Sequence, residues 1–332
     1  MVALEVVISS PRFMKNARVS IAGVFFLGVL LSGCAVVFPQ TAELRDRWPS
    51  DLPLKVEHAE VPFFPQTQYQ CGPAALATTL AHLSVPVTAD ELAPQLYIPA
   101  RKGTLQVELL AAPRRYGIVS YRLEPRLEAV LREVAAGNPV IVLKQYSHWP
   151  ILKLWHYAVV VGYNGETGTM YFRSGENERL TLPIGMFEFL WKDGAQWAMV
   201  AMPPGRIPVT ADRARFFDSI VAVERAKQPR AAAAAYQAFL ERWPGDLGAS
   251  VGLANAYYSL GDLGEAEGAL RAAVERHPDS PVALNNLAHV LSEAGRSEEA
   301  LAVIDRAGAD GPHAGSVTET RALILQRLKK RN

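Results

Sequence analysis

The chain has 332 residues, with 34 Lys plus Arg against 33 Asp plus Glu and a formal net charge of +1. That balance gives no basic excess for nucleic acid and no acidic run for a solvating tail, so no nucleic-acid partner is expected. The length allows two domains with a core in each, and 49% hydrophobic residues is ordinary for globular protein once an apolar leader is counted.

The leader comes first. Met14-Lys-Asn-Ala-Arg18 is a short cationic head, and Val19 to Leu31 follows without a charge. The apolar run is too short for a membrane span and small residues precede Cys34, so residues 1–33 read as a signal peptide. Met14 makes a better start than Met1, because residues 1–13 hold Glu5 and Pro11 and add nothing a leader needs. Leu31-Ser-Gly-Cys34 resembles the bacterial lipobox. The resemblance implies cleavage before Cys34, a diacylglycerol on its sulfur and attachment to the bacterial cell envelope. Ala35 is not the Asp that resembles an inner-membrane retention signal, which favours the outer membrane, facing the periplasm. Residues 34–58 read as a lipid-anchored tether, with Pro39, Pro53 and scattered charges. The chain has two cysteines. With Cys34 occupied by lipid, Cys71 has no intrachain disulfide partner in an oxidising compartment, which points to chemistry rather than packing.

Residues 59–205 read as one α+β domain. Val61-Pro-Phe-Phe-Pro65 is extended, because each proline disfavours helix in the residue before it. Cys71-Gly-Pro-Ala-Ala-Leu opens a helix over Pro73–Leu83, with Leu76, Leu80 and Leu83 on one apolar face. Cys71 then sits at a helix N-terminus, where unpaired amides and the dipole favour a thiolate. Thr88 and Glu91 form a capping box. A helix over Gly103–Ala112, a strand over Tyr116–Leu123 and a helix over Arg126–Ala136 follow. Val140–Lys144 and His156–Tyr163 are buried strands, and Asn164-Gly165 signals a hairpin to Thr169–Arg173. Trp197–Met202 closes the sheet. Helices first and an antiparallel sheet afterwards give an α+β layout.

Residues 206–332 are alanine-rich and repeat with a period of 34: Leu253 with Leu287, Gly261 with Gly295, Ala266 with Ala300, Pro244 with Pro278. The pattern resembles tetratricopeptide repeats, about three of them plus a capping helix over Thr318–Lys330. Such an all-α array implies a docking surface for a partner protein or substrate, or a brace for the first domain.

A thiol nucleophile needs a base and a group to orient that base. Of seven histidines, His277, His289 and His313 fall in or near the repeats, His58 lies at the domain edge, and His82 is three turns down the Cys71 helix. His156, on the most apolar strand, is the first choice of base; His148, in an irregular segment, is the fallback. Cys71 with His82 offers no Cys-x-x-Cys or His-x-x-x-His spacing, so no metal and no cofactor is expected.

The block Gln66 to Cys71-Gly-Pro-Ala-Ala-Leu-Ala, with His156-Tyr-Ala-Val-Val-Val-Gly-Tyr163, resembles the C39-like branch of papain-like cysteine peptidases. That resemblance implies an α+β papain-like fold with Cys71 as nucleophile and His156 as base. It also implies an oxyanion hole formed by the Gln66 side chain and the Cys71 amide, with Gln68 and Gln70 as competitors for the first role. The family's Asp after the following strand is missing. Ser174 aligns best with it, and Asn177 is the alternative orienter. Arg173 offers a charge for a substrate carboxylate or an exposed strand-end residue. Together these imply an envelope-anchored thiol hydrolase that cleaves a peptide or isopeptide bond in a peptide or protein substrate. The other reading is a catalytically silent, peptide-binding lipoprotein.

Overall fold

The computed structural model describes residues 38–66, 70–145, 154–308 and 310–331. The leader, Cys34, Gln68 and His148 lie outside the described residues. The sheet grows from the β-branched runs. Strand β5 (Val140–Gln145) and strand β6 (Trp155–Asn164) are buried almost throughout. They read as unbroken apolar runs because both faces of the sheet are covered. With β4 (Val119–Arg122), β7 (Thr169–Ser174), β8 (Asn177–Pro183) and β9 (Ala198–Met202) they run β4-β9-β5-β6-β7-β8, each pair antiparallel.

One face of the sheet carries α2 (Cys71–His82), α3 (Ala89–Leu96) and α4 (Gln106–Ala111). Leu76, Leu80, Leu92, Leu96 and Leu109 pack there on Ile141, Val159 and Val161. The other face carries α5 (Leu127–Ala135) and α6 (Ile184–Lys192). There Val130, Val134, Phe187 and Trp191 cover Val142, Val160 and Phe172. The capping box forms as read: Thr88 caps α3 and the Glu91 carboxylate accepts from the Thr88 amide at 2.8 Å.

Several elements depart from the sequence reading, each for a tertiary reason. Trp197–Met202 does not close the sheet; β9 lies inside it, between β4 and β5. The helix placed over Gly103–Ala112 starts at Gln106, because Gly103–Thr104 (β3) pairs with Tyr97–Ile98 (β2). The strand placed from Tyr116 starts at Val119, after a 3-10 turn over Ala112–Tyr116. The stretch read as a tether over 34–58 contains regular structure among its described residues. It forms α1 (Pro39–Asp46) and β1 (Lys55–Glu57), and β1 pairs with the far end of β6. The buried Glu188 carboxylate on α6 accepts from the amides of Gln40 and Thr41 and from the Thr41 hydroxyl at 2.6–3.0 Å. That carboxylate satisfies the open N-terminus of α1, a partner no local pattern announces.

The repeats follow as helix pairs: α7 (Arg213–Arg225) with α8 (Pro229–Arg242), α9 (Leu247–Leu260) with α10 (Leu263–Arg276), and α11 (Pro281–Glu293) with α12 (Ser297–Ile304). α13 (Ala314–Arg331) ends the array. The period reappears as N-caps: Asp212, Asp246 and Ser280 each accept from the amide three residues on. Gly261 and Gly295 take φ of +83° and +81° at the turns inside the second and third pairs, a conformation that favours glycine.

The expected division at residues 205 and 206 does not divide the core. Phe216, Ile220, Val223, Ala232, Tyr236 and Phe239 share one cluster with Tyr121, Val200 and Met202 of the sheet. The buried Glu133 carboxylate accepts from the Thr210 amide and hydroxyl at 2.8 and 2.6 Å and from Asn138 at 2.7 Å. The Tyr121 hydroxyl accepts from the Asp212 amide at 3.0 Å. The first helix pair is therefore built into the first domain. A chain cut after residue 205 is expected to lose its cooperative calorimetric transition, while one cut after residue 261, which keeps α7, α8 and α9, retains it. Equal cooperative melts from both would show that the core is divisible.

Candidate active site

Cys71 is the first residue of α2 and is half-buried. The step after it must be glycine. A β-carbon on Gly72 would lie 2.6 Å from the Thr104 β-carbon, so β3 reaches the first turn of α2 only because that side chain is absent. The backbone amides nearest the thiol, those of Tyr157, Gly72 and Cys71, favour its anion. The last two belong to the helix start, as expected. The first comes from β6. Val159 pairs with Arg173, and β7 ends at Ser174 before it reaches the position opposite Tyr157. The Tyr157 amide lies near the thiol instead.

This approach brings Cys71 to the residue next to His156. The His156 Nε2 lies 2.9 Å from Ser174 Oγ, so the histidine and serine singled out in the sequence meet. Asn177 does not take this place: it is exposed at the start of β8, opposite Ser174 in register. Gln66 is partly buried, and its backbone N–H donates to the Gly175 carbonyl at 3.1 Å, which fixes the Cys71 arm to the turn beyond Ser174. Gln70 is the residue just before α2.

The expected thiolate is not the resting form. Burial pushes the Cys71 thiol up and outweighs the three amides that favour its anion. Burial also pushes His156 down to about 3, helped by the nearby Lys144 cation. At rest the thiol and the imidazole are each neutral.

Arg173 is neither exposed nor open to a substrate. It is buried, and its guanidinium donates to the carbonyls of Val61 at 3.0 Å, Ala59 at 2.8 Å and Glu178 at 2.6 Å. It ties the segment leading to Gln66 onto β7 and β8. His58 and His82 lie on carbonyls at Val134 (2.8 Å) and Gly137 (3.2 Å), around the end of α5.

Residues 58–192 match the model of the Peptidase C39 like family, and residues 221–281 and 251–315 match the tetratricopeptide repeat. The two matches support an architecture of a C39-like domain followed by tetratricopeptide repeats. A solved structure described as a candidate C39-like peptidase from Bacillus anthracis aligns at 17% identity and a TM-score of 0.38. The alignment covers 45% of this chain and 97% of that one. Cellulose synthase operon protein C of Pseudomonas fluorescens (strain SBW25) is 40% identical over 62 residues, which is 19% of this chain and 5% of that protein.

Within the C39-like domain the sequence reading missed Lys144. It pairs directly across from His156 in the β5–β6 register and is buried. Burial pushes its ammonium down to about 8. The only sequence signal was a lysine at the end of an apolar strand, at a position that becomes meaningful once the register is known. At neutral pH the Lys144 charge faces His156 and disfavours the imidazolium. Replacing it with the apolar Lys144→Met should raise the His156 pKa from about 3, while burial keeps it below the ordinary 6.5. Proton NMR titration of the imidazole reads this; an unchanged midpoint would remove Lys144 from the electrostatics of the site.

Proposed function

We propose that the chain is an envelope-anchored thiol hydrolase that cleaves a peptide or isopeptide bond through an acyl-enzyme. The observation that carries this reading is the convergence on β6. The Tyr157 amide of β6 is among the groups that favour the Cys71 anion, and the preceding residue, His156, is hydrogen-bonded to Ser174. In this reading the Cys71 sulfur attacks the carbonyl carbon while His156 takes the thiol proton. With Nε2 engaged by Ser174, Nδ1 is the nitrogen assigned to that proton. The oxyanion accepts from the Cys71 amide and the Gln66 side chain. Collapse expels the amine, which takes the proton from His156, and water then releases the acyl group with His156 as base.

With the thiol raised and the imidazole lowered, the proton moves to His156 only as the carbon–sulfur bond forms, and that transfer runs uphill. Ser174 in place of a carboxylate supports an imidazolium less strongly than an acid does. That substitution, with the raised thiol, supports a second reading in which the domain binds peptides without cutting them. Tetratricopeptide repeats support protein–protein interaction in general. In our reading they bring a partner or substrate protein to the site. The lipid is assigned to Cys34, with the folded part facing the periplasm from the outer membrane.

A peptide-linked electrophile that traps nucleophilic thiols tests the chemistry without a known substrate. Mass spectrometry should locate the adduct on Cys71, with no adduct in Cys71→Ser. His156→Ala should slow labelling by about a hundredfold, the scale of a lost general base. Labelling of the native chain no faster than of free cysteine would select the silent, peptide-binding reading.

A further inference from the structure

Helix α6 packs its core side through Ile184, Phe187 and Trp191 and leaves Met186 (39% exposed) and Phe189 (41% exposed) outward. They stand three residues apart on one face, and Lys192 continues the stripe by another three. Among the described residues, no other helix exposes two large apolar side chains in this way. The same helix holds the start of α1. Glu188, immediately before Phe189, binds the amides of Gln40 and Thr41 in the first turn of α1. Whatever pulls on residue 39 therefore pulls on α6.

Five residue steps lead from Cys34 to Pro39, a span of at most about 17 Å when fully extended. A lipid on Cys34 leaves no room for a long spacer between the acyl chains and α6. We propose that the Met186–Phe189–Lys192 face of α6 rests on the phospholipid surface. This inference rests on the lipid-anchor reading of Cys34. Met186 and Phe189 enter the boundary between headgroups and acyl chains, and Lys192 lays its stem along the apolar surface with its ammonium at the phosphates. Asp193, the next residue, turns away to accept from Gln145 at 2.5 Å. The face then acts as a second, non-covalent contact beside the lipid, and it fixes which side of the domain meets the membrane.

Lipid-borne quenching tests the orientation. The full chain, with Cys71→Ser and Phe189→Cys carrying an environment-sensitive fluorophore, is placed on phosphatidylethanolamine–phosphatidylglycerol vesicles containing nitroxide lipid. A second protein carries the label at Leu323→Cys on α13, an exposed position in the terminal helix. Quenching severalfold stronger at 189 than at 323 is expected. Equal quenching, with the protein still floating on vesicles, overturns the membrane face and leaves the anchor standing. If neither the chain nor its Cys34→Ala variant floats, the anchor and the face fall together. Shielding of the 189 label in Cys34→Ala without vesicles assigns the face to a second copy of the chain and also overturns the proposal.

Discussion

The site depends on one close approach: the first turn of α2 meets the open edge of β6 where β7 has ended. Gly72 makes the approach possible by leaving space for Thr104, and it brings the Tyr157 amide close enough to favour the Cys71 anion. Everything else at the site is arranged around that meeting. Ser174 ends β7 at the right level for His156 Nε2. The Gln66 backbone N–H donates to the Gly175 carbonyl, and Arg173 holds the arm behind it with three carbonyls. The arm, the turn and the strand are thus locked to one another by backbone contacts, and the nucleophile inherits their position.

The same closeness sets the charge state. Helix amides favour a thiolate, but a sulfur packed between a helix and a sheet loses more hydration than three amides return. The imidazole obeys the same rule with the opposite sign, and the Lys144 cation adds to it. A folded His156 pKa of about 3, against an ordinary 6.5, means that the unfolded chain binds the proton over that interval and the folded chain does not. This group's contribution to stability is therefore complete above about pH 6.5 and is lost as the pH falls toward 3. Lys144, lowered from 10.5 to about 8, likewise costs stability below about pH 8 and relieves that cost as the pH rises from there to 10.5.

The helix after Cys71, the capping box, the central strands and the repeat period were legible because each is written in local spacing. Thr88 and Glu91, or Gly261 and Gly295, need nothing beyond their own neighbourhood. His156 and Ser174 were legible through a family pattern, and their contact follows from the β6–β7 register. Lys144 was not legible, since only cross-strand pairing sets it against His156. Nor was α1: its N-terminus is satisfied by Glu188, almost 150 positions away. The boundary at 205 followed a Pro-Pro-Gly step, a reasonable end to a chain segment. Glu133 and Tyr121 reach past it to Thr210 and Asp212, and no composition shift records a buried carboxylate. Arg173 was misjudged for the same reason. A strand-end arginine is usually solvated, and two of its three carbonyl partners, Ala59 and Val61, lie far away in sequence.

Cys71 and His156 each rest neutral because each is buried. The rate at which iodoacetamide alkylates Cys71, followed from about pH 5 to about pH 11, reports the thiol's protonation directly. The account predicts a single inflection above the ordinary thiol value of 9.0 in the native chain, falling back toward 9.0 when the chain is unfolded in urea. An inflection below about pH 7 in the native chain would mean a preformed thiolate–imidazolium pair, and would contradict it.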